Sequence, residues 1–308
     1  MKTFKLLLYI LLVSFILDKI IYSSINSMSK NVYSGQAIGK VNHFELIKDT
    51  TNILIFGSSR ANHSLNPEFI KNSSSFNMGV DGSTIGYAAT LIKTLPLNKK
   101  QAIILHLEPE RVMDQGYIGK DVGSLSFKYH MDDNIKKELD DLNISNILQK
   151  FYWTIDFNGK LIAILKNSIK PKYNYIDYNG YDPLIVSIDE QEKLIKILDK
   201  EVNNLYSTKE KRINSLYVKY LRDIKLFCDT NNKDLIVFTS PLYSDVIKED
   251  NINLDKLLKS LGIEYYDLTD YFKYNNSIKY WKDNKHLSNE GAEIFSNYFN
   301  GFIINKKL

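Results

Sequence analysis

Short apolar runs alternate with longer segments of helical periodicity from about residue 50 onward. Five apolar runs, bounded by turn or polar residues, predict β-strands at 52–56, 75–79, 102–107, 234–240 and 263–268. Helical segments follow at 84–95, 210–230, 254–261 and 289–299. Strands that alternate with helices through short turns predict an α/β fold with three layers, in which helices cover both faces of a parallel sheet.

The N-terminal segment, 1–30, is the most apolar part of the chain. Residues 6–17 are an almost uninterrupted apolar run, and 20–22 extend it towards the ~20 residues that a bilayer core requires. A cleaved signal peptide and a retained anchor are the alternatives, and the lack of an Ala-x-Ala cleavage pattern favours a transmembrane helix. Lys2 and Lys5 precede the run, which predicts a single-pass protein of the cell membrane. Its remaining domain is then extracytoplasmic, either periplasmic or extracellular.

That domain is predicted to span 45–308, with an insertion at about 115–207 that interrupts the alternation of strands and helices. The insertion is rich in Tyr, Asn, Asp and Lys. It is either a carbohydrate-binding surface or a set of solvated helices and loops.

Composition narrows the possible functions. Of 308 residues, 44% are hydrophobic and 25% charged, which is typical of a globular protein and excludes a disordered chain. The formal charge of +4 is too small and too dispersed to indicate nucleic-acid binding. A single cysteine, Cys228, excludes an intramolecular disulfide framework and a cysteine-cluster metal site.

Candidate chemistry lies just after the predicted strands, where parallel sheets bind their ligands. Gly57 ends the first strand, and two residues later Ser59 can present its hydroxyl at a helix N-terminus. The alternative role for a serine here is an ordinary helix N-cap. The G-x-S-x-G elbow is not met, because Ala61 occupies the position of its second glycine.

Two further segments carry candidate groups. Asp81-Gly82 follows the second strand and suits a tight turn whose Gly82 N–H can stabilise an oxyanion, although a simple strand-to-helix turn is the alternative. Asp283 precedes His286 by three residues in a polar segment before the last helix. This spacing lets a carboxylate orient the imidazole of a general base.

Together these segments resemble the SGNH (GDSL-like) hydrolase superfamily over about 52–299. The sequences FGSSRANHSLNP and WKDNKHLSNEGA are most similar to membrane-anchored bacterial members that face the cell envelope, related to the alginate-type O-acetyltransferases and the D-alanyl transfer protein of teichoic acid. The resemblance implies a flavodoxin-like sheet. It also implies that Ser59 is the nucleophile, His286 the base and Asp283 its orienting group, with Ser59 and Gly82 as oxyanion donors.

The third conserved segment of that superfamily is where this chain departs from it. Glu108-Pro109-Glu110-Arg111 replaces the expected Gly-x-Asn, so one oxyanion donor is missing or replaced. Four candidate substrate-binding residues surround the predicted site, each with a surface or structural role as its alternative: Arg60, His63, Glu108 and Glu110. His106 is interpreted as a core histidine. Neither a metal nor another cofactor is expected.

The function expected from these residues is a serine-dependent esterase or O-acyltransferase that transfers an acetyl-type group on cell-envelope polysaccharide. Its expected partners are an envelope glycan or acyl ester substrate and a membrane-bound acyl-donor protein, with no nucleic acid. The alternative is a catalytically weak or inactive SGNH-fold module that binds glycan or acts as a scaffold in a polysaccharide assembly complex. The incomplete third segment favours this alternative, and the intact Ser59, Asp283 and His286 favour the enzyme.

Overall fold

The computed structural model of the chain describes residues 2–201, 212–244 and 248–305. The end of the predicted insertion, 202–207, and the start of the predicted helix 210–230 lie outside these residues.

All five predicted strands are confirmed. In the described part of the chain they form one sheet of β1 Ile53–Phe56, β2 Ser75–Asn77, β3 Gln101–His106, β4 Lys233–Thr239 and β5 Glu264–Asp267. Their order is β2-β1-β3-β4-β5, and every neighbouring pair is parallel. This is the flavodoxin-like order, which changes direction between β1 and β3.

The helices of the described residues are α1 Lys2–Ser29, α2 Lys40–Ile47, α3 Ser59–Ser64, α4 Ile85–Ile92, α5 Pro109–Val112, α6 Asp133–Asp141, α7 Leu161–Ile169, α8 Ile188–Glu201, α9 Ser215–Thr230, α10 Lys248–Ser260 and α11 Asn289–Asn305. Short 3₁₀ helices lie at Pro67–Phe69, Lys120–Lys128, Ile147–Lys150, Trp153–Phe157 and Ile278–Tyr280, and a π-helical turn at Gly35–Gly39. The four predicted helices correspond to α4, α9, α10 and α11, with shifted ends.

The sheet is covered on both faces, as a parallel sheet requires. Ile53 and Ile55 of β1 belong to a core cluster with Phe295 and Phe299 of α11. Successive side chains of a strand point to opposite faces. The intervening Leu54 is also fully buried, so the second face is covered as well.

The chain divides into two compact units. The sheet unit contains Ile47–Gly119 and Asn179–Leu308, whereas the N-terminal unit contains Met1–Leu46 and Lys120–Tyr178. The predicted insertion at about 115–207 is therefore split between the two. Residues 120–178 combine with the N-terminal segment, whereas 115–119 and the last part, which includes α8, belong to the sheet unit.

Within the N-terminal unit, the second half of α1 packs against the 3₁₀ helix Trp153–Phe157. Asp18 is only 5% exposed, and its carboxylate accepts hydrogen bonds from the N–H groups of Trp153 (2.8 Å) and Thr154 (3.0 Å). The ring of Tyr22 lies 5.3 Å from that of Trp153 and meets it edge-on. These contacts explain why α1 belongs to a unit with a distant part of the chain.

The predicted transmembrane helix at 1–30 is not supported. Across residues 2–201, 212–244 and 248–305, no helix has both the length and the apolar character that crossing a bilayer demands. The apolar run of α1 stops at Asp18, and the carboxylate of Asp18 is bound inside the N-terminal unit.

Candidate active site

Ser59 is positioned by a tight connection between β1 and α3. Gly57 has a φ of 152°, and a Cβ atom there would lie 2.8 Å from the Cβ atoms of Ala61 and His106. Only glycine allows this close approach. Ser58, not Ser59, is the N-cap, since its hydroxyl accepts the N–H of Arg60 at 3.3 Å. The Ser59 hydroxyl therefore has no capping role.

The three predicted catalytic residues lie together in a chain of hydrogen bonds. The Oγ of Ser59 is 2.8 Å from Nε2 of His286, although 227 positions separate them in the sequence. The Nδ1 of the same ring lies 2.9 Å and 3.0 Å from the two carboxylate oxygens of Asp283. With its proton on Nδ1, His286 donates to Asp283 and leaves Nε2 to accept the Ser59 proton.

Asp283 is held in its ionised form by its local contacts. Burial tends to raise its pKa, but His286 and the N–H groups of Lys285 and His286 lower it below the usual value. Those N–H groups donate to Oδ1 at 2.8 Å and 2.9 Å. At neutral pH the carboxylate can therefore stabilise a positive charge on His286.

Hydrogen bonds join the turn that contains Gly82 to the segment from the end of β1 to the start of α3, which contains Ser59. Val80 donates its N–H to the Gly57 carbonyl at 3.1 Å, and the Ser83 hydroxyl donates to the same oxygen at 3.0 Å. Gly82 is exposed, has a φ of 74°, and has no atom within 4 Å of where a Cβ would lie. A substrate oxygen can reach this position, which suits an oxyanion donor.

His63 lies beside His286, with a separation of 6.0 Å between ring centroids. Its Nε2 is 3.1 Å from a carboxylate oxygen of Asp81, and its Nδ1 is 2.6 Å from the Asp182 carbonyl. Burial opposes the charged form, but Asp81 and Asp182 outweigh it and raise the pKa of His63. Both ring nitrogens are engaged, so the contacts of His63 are those of a positioning group.

The raised pKa of His63 predicts a pH-dependent contribution to stability. This contribution is complete below the unfolded pKa of about 6.5 and is lost as the pH rises through the raised folded value. Near pH 6 the free energy of unfolding of wild type should be higher than that of Asp81→Asn. The difference should be about 1 kcal/mol or less, because Asp81 is half exposed and solvent screens its charge. The difference should shrink by pH 9. Urea denaturation of both proteins at the two pH values measures it, and a difference that grows with pH would contradict the assignment.

The side chain of Arg60 is directed into the protein and is almost inaccessible from outside. It is 1% exposed, its Nε donates to the Ser240 hydroxyl at 3.1 Å, and its Nη2 donates to the Ser240 carbonyl at 2.5 Å. Within the described residues its Nη1 has no hydrogen-bond partner. Arg60 thus links the start of α3 to the end of β4, and its contacts are structural, in contrast to the predicted substrate-binding role.

The Ser240 hydroxyl that accepts from Arg60 is also hydrogen-bonded to His106. Nε2 of His106 lies 3.1 Å from it, and the side chain is 3% exposed, which agrees with the predicted core histidine. Burial holds the pKa of His106 well below its usual value, so the ring is neutral. Sequence reasoning missed Ser240, whose only signal was its place at the end of the fourth apolar run.

The two glutamates after β3 have different surroundings. Glu110 pairs with Lys285, with an Oε1 to Nζ distance of 3.0 Å, so it supports the segment between Asp283 and His286 instead of pairing with Arg60. Burial tends to raise its pKa, but Arg60 and Lys285 lower it. Glu108 lines a cavity of about 10 Å³, which has room for about one water molecule and none for a sugar ring.

A larger cavity, of about 190 Å³, lies beside Asp283. Its walls include Asp283, Lys282 of the same segment, and Glu190 and Lys193 of α8. Glu190 forms an ion pair with Lys282. Sequence reasoning missed the two α8 residues because they lie in the segment interpreted as an insertion, almost 100 residues before the triad histidine.

Comparison with known proteins does not assign the chain to a family. No family model matches it, and a search of curated proteins finds no match. The resemblance to the SGNH superfamily therefore rests on the segments around Ser59, Gly82 and His286.

Proposed function

We propose that this protein is a serine-dependent esterase or O-acyltransferase of the SGNH type that acts on cell-envelope polysaccharide. The observation that carries the proposal is the pair of hydrogen bonds from Ser59 through His286 to Asp283. Ser59 follows the end of β1, at the point where the strand order changes direction and α/β sheets bind their ligands.

The reaction begins when Nε2 of His286 takes the proton of Ser59 and Oγ attacks the ester carbonyl. Asp283 stabilises the imidazolium that forms, and the N–H groups of Ser59 and Gly82 stabilise the oxyanion. As the tetrahedral intermediate collapses, His286 returns the proton to the departing alkoxide. An acyl group remains on Ser59, and His286 next deprotonates the water or sugar hydroxyl that removes it.

The acceptor occupies the cavity of about 190 Å³ beside Asp283. Its walls combine the apolar side chains of Leu194 and Ile197 with charged side chains, which suits a molecule that presents both C–H faces and hydroxyl groups. An envelope glycan has this chemistry. The acyl donor is an ester, delivered by a membrane-bound partner on the extracytoplasmic side as the SGNH resemblance implies.

The missing third-segment asparagine favours transfer over hydrolysis. Loss of one oxyanion donor typically costs about 10²- to 10³-fold in rate, so water should remove the acyl group slowly. A bound sugar compensates for this loss, since a positioned hydroxyl reacts faster than an unpositioned water molecule.

With an activated acetyl ester and an added envelope oligosaccharide, acetylated sugar should therefore exceed free acetate. Lys193→Ala and Glu190→Gln should lower the ratio of transfer to hydrolysis, because both residues line the acceptor cavity. Lys259→Ala changes a 74% exposed lysine on α10 and serves as the matched control. Chromatography of both products gives the ratio. Free acetate as the dominant product across a range of envelope glycans would refute transfer and leave an esterase.

A further inference from the structure

Residues 179–184, near the end of the predicted insertion, lie in the sheet unit and form neither helix nor strand. Tyr181 and Asp182 of this segment are nevertheless only 8% and 5% exposed. The backbone groups of a buried segment without regular structure need hydrogen-bond partners elsewhere in the protein. Segment 179–184 finds these partners in the three parts of the chain that carry the proposed catalytic groups.

The first partner is the end of β2, which leads into the turn that contains Gly82. The carbonyl of Asn179 accepts the N–H of Asn77, the last residue of β2, at 2.8 Å. Gly180 follows with a φ of 83°, and a Cβ atom there would overlap the carbonyl oxygen of Asn77. Only glycine allows the segment to approach β2 so closely.

The second partner is α3, which begins with Ser59. The N–H of Asp182 donates to the Asn62 carbonyl at 3.3 Å, and its own carbonyl accepts Nδ1–H of His63 at 2.6 Å. Asn62 and His63 also contact the Asp81 carboxylate, at 3.0 Å from Nδ2 and 3.1 Å from Nε2. The same two residues of α3 therefore join segment 179–184 to the turn that follows β2.

The third partner is the start of α11, three residues after His286. The carbonyl of Leu184 accepts the N–H of Asn289, the first residue of α11, at 2.8 Å. The hydroxyl of Tyr181 donates to Oδ1 of the same residue at 3.0 Å. One short segment is thus bound to the parts of the chain that carry the nucleophile, the oxyanion donor and the base.

We propose that residues 179–184 are a positioning segment of the active site, which holds Ser59, Gly82 and His286 in register. Catalytic groups must stay within about 0.5 Å of their productive positions. Within the described residues, the segment adds no side chain to the walls of the acceptor cavity, so its displacement should lower kcat and leave KM nearly unchanged. The proposal rests on the proposed function, because the groups that it positions are those of the serine-dependent reaction.

Gly180→Ala displaces the segment from β2 and tests the proposal. Its kcat for an activated acetyl ester should fall about 10- to 100-fold with KM within about threefold of wild type, since a displacement of about 1 Å can cost 10²-fold. Gly262→Ala is the matched control. Gly262 also has a positive φ, of 64°, but a Cβ atom there would have no atom within 4 Å. The control should retain the kcat of wild type.

Tyr181→Phe is a milder second variant, which carries the test if Gly180→Ala does not fold. It removes only the hydroxyl that donates to Asn289 and should lower kcat about threefold, again with KM unchanged. Its control is Tyr129→Phe, which removes a hydroxyl that donates to Asp140 at the same distance of 3.0 Å in the N-terminal unit. Thermal unfolding of the variants establishes which of them are folded.

Hydrogen exchange supplies a measurement that does not depend on ester hydrolysis. The N–H groups of Val80 and His286 are hydrogen-bonded in the turn after β2 and in the triad segment. Both should exchange at least about tenfold faster in Gly180→Ala, or in Tyr181→Phe where that variant replaces it, and at the wild-type rate in Gly262→Ala.

Unchanged exchange at both amides, or an unchanged kcat in a folded Gly180→Ala, would overturn the proposal. A fall in kcat of the same size in Gly262→Ala would also overturn it, because backbone strain alone would then explain the effect. If wild type hydrolyses no ester, the proposed function fails, and hydrogen exchange alone then decides whether segment 179–184 orders the three parts of the chain.

Discussion

Replacing Ser59 with alanine should lower kcat/KM for an activated acetyl ester by at least about 10³-fold. The expectation follows from the 2.8 Å contact between its Oγ and Nε2 of His286, on which the proposal that Ser59 is the nucleophile rests. His286→Ala should cost a similar factor. The double variant should lose little more, since both residues act in the same step.

Ser58→Ala is the matched control, because it removes a hydroxyl one residue away. Ser58 caps α3 through the N–H of Arg60, so its loss should cost about 1 kcal/mol of stability and leave most of the activity. Steady-state kinetics of wild type and the four variants give the comparison. Equal loss in Ser58→Ala and Ser59→Ala would show that disruption of α3, and not loss of the nucleophile, explains the effect.

Asp283→Asn should lower kcat by about 10²- to 10⁴-fold, with a smaller change in KM. The carboxylate accepts Nδ1–H of His286 through either oxygen, whereas an amide can turn its NH₂ group towards Nδ1 and favour the wrong tautomer. The Asp283→Asn variant also lacks the negative charge that stabilises the imidazolium.

Asp270→Asn provides the control for Asp283→Asn, since it removes a 50% exposed carboxylate whose partner is Lys273. It should retain wild-type kinetics. Thermal unfolding of both variants checks that the comparison is made between folded proteins. A kcat for Asp283→Asn within about threefold of wild type would remove Asp283 from the triad, because the amide cannot replace the charge.

Much of the sheet unit could be predicted from the sequence, for a physical reason. The central strands β1 and β3 are buried along their whole length, and each contains a continuous apolar run, 53–56 and 102–105, with polar or turn residues on each side. The three predicted catalytic residues follow a strand or precede a helix, which places their side chains at one edge of the sheet. Local sequence was therefore enough to predict the sheet and to select these three residues.

Contacts between distant segments could not be predicted in this way. Arg60 and Ser240 are 180 residues apart, and nothing near Arg60 indicates that it turns inward to meet the end of β4. In the same way, the burial of Asp18 depends on a 3₁₀ helix about 135 residues later. An apolar run can be recognised as a helix from its own residues, but the segment that packs against it cannot.

The central claim is that Ser59 is a nucleophile activated by His286, and covalent labelling tests it most directly. Wild type treated with a fluorophosphonate should gain one phosphonyl group, and peptide mass spectrometry should locate it on Ser59 and not on the adjacent Ser58. His286→Ala should be labelled far more slowly, because its serine lacks the base. Labelling of wild type on Ser58, or no label at Ser59 under conditions that modify a known serine esterase, would contradict the account.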